Sequence, residues 1–140
     1  MKYNKNAKIK ALIKRTLAED IGKGDITVKL LISKNKKVHA VIFANNKGLI
    51  CGVDIARLVF KTLDHRVRFI PKVKDGAGVR KGQAIANIYG RAASILTGER
   101  AALNFLGLLS GIATRTRDFV NKVNIESDNS LADFISIKFL

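Results

Sequence analysis

The chain has 140 residues, of which 47% are hydrophobic, and it carries 26 Lys and Arg against 11 Asp and Glu, a net charge of +15. The hydrophobic fraction excludes wholesale disorder, and the length suits one domain. The positive excess favours anionic partners, for which nucleic acid, a membrane surface and small polyanionic substrates are the candidates.

Reactive side chains are scarce in the sequence. Cys51 is the only cysteine, so no internal disulfide can form, and its apolar neighbours predict a small buried residue. His39 and His65 are far apart, and no cysteine or carboxylate spacing accompanies them. We therefore expect no metal site built from protein side chains. No signal peptide or transmembrane segment is recognisable, and we expect a cytoplasmic protein without a membrane partner.

The first part of the chain predicts a helix and then a strand. Apolar residues recur every three or four positions from Ala7 to Asp20, which is the period of an amphipathic helix. Gly22 and Gly24 are expected to end this helix. The β-rich run Val38–Ala44 alternates only partly, which predicts a strand buried on both faces.

Further strands and a second helix follow. Residues 48–51 are expected to form a second strand or a bulge, and residues 52–63 a helix. The run Val67–Pro71 predicts an edge strand, because proline cannot donate to a β-ladder. The run Gln83–Tyr89 predicts another strand. Short antiparallel strands covered by helices indicate an α+β sandwich.

The most informative segment is Leu96–Val123, which predicts a long apolar helix. Thr97 is placed to cap its first turn, and the negative charge of Glu99 suits the helix dipole there. Arg100 opposes that dipole, so we expect it to face an anion. The anion can be a carboxylate or phosphate ligand, Glu99, or an acid of another chain.

The apolar residues surround this helix, so it is expected in the core or at an interface. Gly107 and Gly111 lie on one face, which fits either close packing against another backbone or two glycines that the helix merely tolerates. The tail from Asn124 ends in an apolar run, Phe134–Leu140, which must either dock as a strand or stay exposed.

Three stretches carry a family resemblance: ALIKRTLAEDIGKGDIT, GLICGVDIARLVFKTLD and KDGAGVRKGQAIANIYGRAASILTGERAALNFLGLLSGIATRTRDFV. From Ala11 to Val123 the chain resembles the quinolinate phosphoribosyltransferases, also called carboxylating nicotinate-nucleotide pyrophosphorylases. The resemblance implies a type II phosphoribosyltransferase fold, in which an incomplete α/β barrel follows an open α/β sandwich. Residues 1–95 are then expected to form the sandwich domain, 96–123 a long helix leading into the barrel, and 124–140 a divergent tail.

The resemblance also implies a reaction. Quinolinate and phosphoribosyl pyrophosphate react with Mg²⁺ to give nicotinate mononucleotide, pyrophosphate and CO2, on the way to NAD. A dianion and a polyphosphate both call for guanidinium and ammonium donors. In the family, the arginine of the TGER motif, here Arg100, reaches the quinolinate bound by the other subunit. A homodimer or a higher even oligomer is therefore expected.

The second half of such an enzyme is not recognisable in this sequence. The family's Thr-Arg-Lys-Thr run, His-Arg pair, lysine and metal-holding acids have no counterpart, so no catalytic residue and no Mg²⁺ ligand is identified. Gly107 and Leu108 stand where the family usually has Gln-Arg. The ending resembles a frameshift or a truncation, which would remove the segment that returns to complete the sandwich. We expect the chain alone to be inactive.

Three alternatives stay open. The first keeps the fold and changes the substrate, as in the nicotinate phosphoribosyltransferases and the molybdenum-associated relatives. The second is a basic nucleic-acid-binding module, but dispersed charge and only 6% aromatic residues offer no stacking platform, so no specific nucleic-acid partner is expected. The third is a non-catalytic subunit that lends Arg100 to an intact homologue.

Overall fold

A computed structural model of the chain describes residues 5–31, 35–121 and 135–140, with the side chains of residues 6–22, 35–121 and 135–140. The described residues form three helices and six strands. In chain order these are α1 Lys5–Leu31, β1 Lys37–Ala44, β2 Gly48–Leu49, α2 Val53–Leu63, β3 Arg68–Pro71, β4 Gly78–Val79, β5 Ala84–Arg91, α3 Ala92–Asn121 and β6 Ile135–Phe139.

Four of the strands form one antiparallel sheet in the order β3-β5-β1-β6, and β2 and β4 form a separate two-stranded sheet. The larger sheet shares one hydrophobic core with the helices, to which β1 contributes Ala40 and Ile42, α2 contributes Phe60, and α3 contributes Ile95 and Leu106. This mixture of helices and an open antiparallel sheet confirms the α+β sandwich.

Strand β1 is fully buried on one face only. Ala40, Ile42 and Ala44 are buried, whereas the intervening Val41 and Phe43 are half-buried. Successive side chains of a strand point to opposite faces, so the helices cover one face of the sheet and leave the other partly open. The expectation of a strand buried on both faces is therefore wrong.

Helix α1 is amphipathic as predicted, but it does not end at its glycines. Ile13 and Leu17 lie in the core, while lysines on the other face are exposed. The helix continues through Gly22 and Gly24 to Leu31. A glycine in a helix interior costs about 1 kcal/mol relative to alanine, which disfavours the helix without forbidding it.

The expected middle elements form close to their predicted bounds. Helix α2 follows Gly52, and β3 lies at the sheet edge with Pro71 as its last residue, as its missing amide donor requires. Strand β5 also forms, and it starts one residue later and ends two residues later than predicted. Strand β4, which pairs Gly78 with Leu49, was not predicted, because two residues are too short for a periodic pattern.

Helix α3 begins at Ala92, before the predicted capping residue. Its first amide donates to the carbonyl of Lys36 at 2.8 Å. Thr97 lies inside the helix and its hydroxyl donates to the carbonyl of Ala93 at 2.8 Å, so the predicted cap is wrong. The reason is that a backbone carbonyl satisfies the first helical donor and two alanines favour helix there.

The burial of α3 is one-sided. Its core face includes Ala101, Ala102 and Leu106, whereas Leu108 and Ile112 are each 53% exposed. The apolar residues therefore do not all enter the core. None of the described helices combines the length and the apolar character needed to cross a membrane.

The last strand joins the sheet. β6 pairs antiparallel with β1, with Ile135 opposite Ala44 and Phe139 opposite Ala40. Of the two outcomes foreseen for the apolar end, docking as a strand is therefore the one observed. Residues 135–139 of this chain thus supply the outer strand of the sheet beside β1. The rest of the predicted tail, from Asn124 through residue 134, lies outside the described residues.

Candidate functional site

Arg100 lies in the third turn of α3, on the outside of the domain. Its side chain is 79% exposed, and its Nε is 4.0 Å from Oδ1 of Asp20 on α1. Because α3 starts at Ala92, Arg100 is not in the first helical turn, and the argument that it opposes the helix dipole no longer holds. Because this contact is long and the guanidinium is exposed, Arg100 remains available to another anion.

Arg100 is at the rim of a groove of about 600 Å³, which we call the Arg100 groove. The groove combines apolar and polar side chains. It is lined by Leu96, Glu99, Arg100, Leu103, Asn104, Gly107, Leu108 and Ile135. A guanidinium with planar donors beside an apolar surface suits a flat ring that carries carboxylates, because Arg binds a carboxylate with two parallel hydrogen bonds.

Two carboxyl groups accompany the guanidinium. Glu99 lines the groove, and burial raises the pKa of its carboxyl. Asp20 is partly buried, and its second oxygen, Oδ2, has no hydrogen-bond partner among the described residues. The groove is therefore of mixed charge, with one exposed cation and a glutamate that becomes neutral more readily than an exposed one.

Gly107, Leu108 and Gly111 of α3 differ in burial and in whether they line the Arg100 groove. Gly107 and Gly111 are both buried, and Gly107 also lines the groove. Leu108 is exposed beside it. The structure therefore presents no polar side chain at the two positions where the family resemblance implies Gln-Arg.

Two hydroxyls that sequence reasoning missed fix α3 against the small sheet. Ser110 is fully buried and accepts a hydrogen bond from the amide of Cys51 at 2.9 Å. Thr114 accepts one from the amide of Leu49 at 2.9 Å. Their spacing of four residues within an apolar helix is the signal that could have revealed them, because it places both on one face.

The histidines and the cysteine do not come together. His39 stacks on Tyr89 with ring centroids 4.3 Å apart, and His65 lies exposed in a loop. Cys51 is half-buried rather than fully buried, and burial, followed by the nearby Asp75 charge, raises the pKa of its thiol. Within the described ranges no three His, Cys, Asp or Glu side chains cluster, so these residues do not fit a Mg²⁺ ligand set.

The four-stranded sheet with helices on one face defines an open α/β sandwich domain. The family described as quinolinate phosphoribosyl transferase, N-terminal domain, matches residues 25–110. The chain belongs to this family.

The chain is also similar to proteins named as nicotinate-nucleotide pyrophosphorylases. The chain is 39% identical over 118 residues to the probable carboxylating nicotinate-nucleotide pyrophosphorylase of Bacillus subtilis, a match that covers 84% of this chain and 40% of that protein. It is 38% identical over 110 residues to the chloroplastic nicotinate-nucleotide pyrophosphorylase of Arabidopsis thaliana, covering 78% and 32%. The chain thus spans 40% or less of the length of these two relatives.

Solved structures agree with the fold. The nicotinate-nucleotide pyrophosphorylase of Francisella tularensis superposes with a TM-score of 0.78 at 34% identity, over 85% of this chain and 42% of the other. NadC from Streptococcus pyogenes gives 0.80 at 31% identity, over 86% and 43%. The match of the fold is therefore to less than half of each of these proteins.

Proposed function

We propose that this chain serves quinolinate phosphoribosyl transfer, the activity for which its relatives are named. In that reaction quinolinate and phosphoribosyl pyrophosphate give nicotinate mononucleotide, pyrophosphate and CO2. The chain's contribution is the sandwich domain that presents a substrate-binding cation. The family membership and the exposed position of Arg100 support this proposal.

The observation that carries the proposal is that Arg100 is exposed at the rim of a groove. A structural arginine is normally held by a carboxylate at hydrogen-bond distance, as Arg91 is held by Asp64 at 2.8 Å. Arg100 has only the 4.0 Å contact with Asp20. Its guanidinium can therefore bind a pyridine carboxylate through two charge-assisted hydrogen bonds.

We further propose that Arg100 acts in trans, on quinolinate held by a second subunit. The groove lies along one face of α3, and Leu108 on that face is half exposed. Further along the helix Ile112 and Phe119 are also exposed. Exposed apolar side chains on the helix that carries the arginine suit burial against another subunit, which would exclude water from the bound carboxylates.

Phosphoribosyl pyrophosphate would bring Mg²⁺ to the reaction, and the metal would offset the charge of the pyrophosphate. The described residues gather no ligand cluster for it. In our proposal this chain therefore binds and orients quinolinate through Arg100, and other protein groups hold the metal and the phosphates. The 140 residues assayed alone with quinolinate, phosphoribosyl pyrophosphate and Mg²⁺ should give no product. Robust turnover would contradict this part of the proposal.

The role of Arg100 can be tested by complementation. A variant of the B. subtilis relative with its motif arginine replaced by alanine is mixed with this chain, and nicotinate mononucleotide formation is measured. The wild-type chain should restore activity by lending its arginine, and Arg100→Ala should not. Arg117→Ala, which removes another exposed arginine of α3, is the matched control and should restore activity like the wild type. Equal rescue by Arg100→Ala would refute the assigned role.

A further inference from the structure

A second groove, of about 780 Å³, lies at the other end of β1 from the Arg100 groove. Ile135, which lines the Arg100 groove, pairs with Ala44 at the end of β1, whereas the second groove is lined by residues near the start of that strand. The two grooves share no lining residue. Five cationic side chains line the second one, which we call the cationic groove: Lys36, Lys37, Arg66, Arg68 and Arg91.

A buried carboxylate holds two of these arginines in place. Asp64, whose side chain is only 3% exposed, lies with Oδ1 at 3.0 Å from Nε of Arg66 and with Oδ2 at 2.8 Å from a terminal nitrogen of Arg91. The Ser94 hydroxyl donates to the same Oδ2 at 2.9 Å. One buried negative charge thus fixes two guanidinium groups whose exposed portions line the groove, so little side-chain entropy remains to be lost when a ligand binds.

A third arginine of the groove, Arg68, belongs to a row of neighbouring side chains on β3, β5 and β1. The Arg68 guanidinium lies 5.8 Å from the ring centroid of Tyr89, and Tyr89 stacks on His39 with an angle of 10° between the rings. His39 Nε2 is 3.2 Å from Oδ1 of Asn87, which holds the imidazole in turn. Because Tyr89 lies between Arg68 and His39 in this row, both its faces are covered.

The charge of the groove is not neutralised by its surroundings. Among the described residues, no carboxylate forms an ion pair with Lys36, Lys37 or Arg68. The anionic side chain of the described lining is the Asp64 carboxylate, which two arginines already share. The cations therefore exceed the anions.

We infer that the cationic groove is a binding site for a small ligand that carries a diphosphate or a longer phosphate chain. Its volume lies within the roughly 300–1,000 Å³ typical of small-molecule pockets. Several converging Lys and Arg donors match several phosphate oxygens better than one carboxylate. Single-stranded nucleic acid is a poorer fit, because it needs free aromatic faces for its bases and Tyr89 offers none.

This site is separate from the proposed quinolinate-binding residue and does not depend on it. Calorimetric titration with inorganic pyrophosphate, without metal and at about 0.15 M ionic strength, tests it. We expect saturable binding with one ligand per chain. The double variant Lys36→Ala/Arg68→Ala should weaken this binding by about tenfold or more, because each removed cation contributes a charge-assisted contact.

A charge-matched control is needed because the chain's net charge of +15 attracts any polyanion. Arg80→Ala/Lys81→Ala also removes one lysine and one arginine, from an exposed turn before the opposite end of β5. This variant should bind pyrophosphate with less than a twofold change. Equal weakening by the two double variants would show a diffuse field effect, and absence of saturable binding to the wild type would show no site; either result overturns the inference.

Competition experiments distinguish a small phosphate ligand from a nucleic acid as the occupant of the groove. ATP should displace pyrophosphate, and the amide resonances that shift in an NMR titration with either ligand should cluster around residues 36–39, 64–68 and 89–91. A short single-stranded oligonucleotide should compete poorly at the same ionic strength. Tight oligonucleotide binding that pyrophosphate does not displace would overturn the assignment to a small ligand.

Discussion

The Ser110 hydroxyl binds both backbone groups of Cys51. It accepts a hydrogen bond from the Cys51 amide at 2.9 Å and donates to the Cys51 carbonyl at 3.1 Å. Thr114 makes the same pair of contacts with Leu49, at 2.9 and 3.4 Å. Two helix hydroxyls thus satisfy backbone groups that a neighbouring strand would otherwise satisfy, and they fix the helix that carries Arg100.

Ser110→Ala should lower the free energy of unfolding by about 1–3 kcal/mol, because the fully buried Ser110 hydroxyl is the hydrogen-bond partner of both the amide and the carbonyl of Cys51. Thr114→Val is the comparison. Thr114 is only half-buried, so water can replace the lost contacts, and the loss should be smaller. Urea unfolding of both variants measures the difference. A Ser110→Ala protein as stable as the wild type would show that these hydrogen bonds contribute nothing net.

The sequence predicted those elements whose pattern is local. The apolar period of Ala7–Asp20 and the β-rich run at Val38–Ala44 each depend on neighbouring residues alone, and both elements are present. The predicted ends of an element were less accurate where a contact with a residue far away in the sequence determines where the element begins. Helix α3 starts at Ala92 because the carbonyl of Lys36 accepts its first amide, and no pattern near Ala92 reveals that partner.

The candidate sites likewise differ in whether local sequence or distant contacts reveal them. Arg100 was found from its motif, and the structure adds that it is exposed beside a groove. The cationic groove was not foreseen, because its key contacts join Asp64 to Arg91 and Ser94, far along the chain. Nothing in the residues next to Asp64 distinguishes it from an exposed aspartate.

At Gly52 both the backbone conformation and the available space favour glycine. Its φ is +99°, and a Cβ there would lie 2.8 Å from Cδ1 of Leu109. Gly52→Ala therefore combines backbone strain with a clash, and it should destabilise the protein by about 2–4 kcal/mol. Gly82 is the control that shows the cost of backbone strain without a clash. Its φ is +81°, and a Cβ at that position would meet nothing within 4 Å. Gly82→Ala should cost only about 1–2 kcal/mol.

Thermal and urea unfolding of the two glycine variants give the comparison. The difference between them measures the contact of α3 with the residue that precedes α2. Equal losses of stability would show that Leu109 moves aside without cost, and would remove the argument that this approach is tight.

Asp64 makes the stability of the domain depend on pH. Burial alone would raise the pKa of this carboxyl, but hydrogen bonds from Arg66, Arg91 and Ser94 outweigh it and hold the pKa well below its usual range. A depressed pKa stabilises the folded state above the unfolded-state pKa, about 3.9. That stabilisation is lost progressively as the pH falls below this value toward the folded-state pKa.

Asp64→Asn should therefore lower the free energy of unfolding at pH 7 by about 1–3 kcal/mol, because it weakens the charge-assisted hydrogen bonds with Arg66 and Arg91, whose guanidinium groups stay partly exposed to water. Below about pH 4 the difference from the wild type should shrink. Asp54→Asn is the control, since Asp54 is 83% exposed and its ion pair with Arg57 is worth little. A constant difference between Asp64→Asn and the wild type from about pH 7 to about pH 2 would contradict the proposed titration.

The terminal strand protects an edge of the sheet. Without β6, strand β1 would expose its unpaired backbone groups, which invite pairing with other chains. Ile135 is buried in the core, which stabilises the docked strand by about 1.5–3 kcal/mol, and Ile137 pairs with Ile42. Ile137→Pro removes an amide and should detach the strand. Deuterium uptake in residues 38–44 should then rise, and the protein should aggregate more readily.

Lys138→Ala is the control for Ile137→Pro, because it removes a side chain from β6 and leaves the backbone of the strand intact. Lys138 is exposed and its replacement keeps the backbone donor, so uptake in residues 38–44 should stay at the wild-type level. If Ile137→Pro also left that uptake unchanged, the pairing of β6 with β1 would not be what protects the edge. If both variants raised it equally, the lysine side chain would matter as much as the backbone ladder, which the physics of edge pairing does not predict.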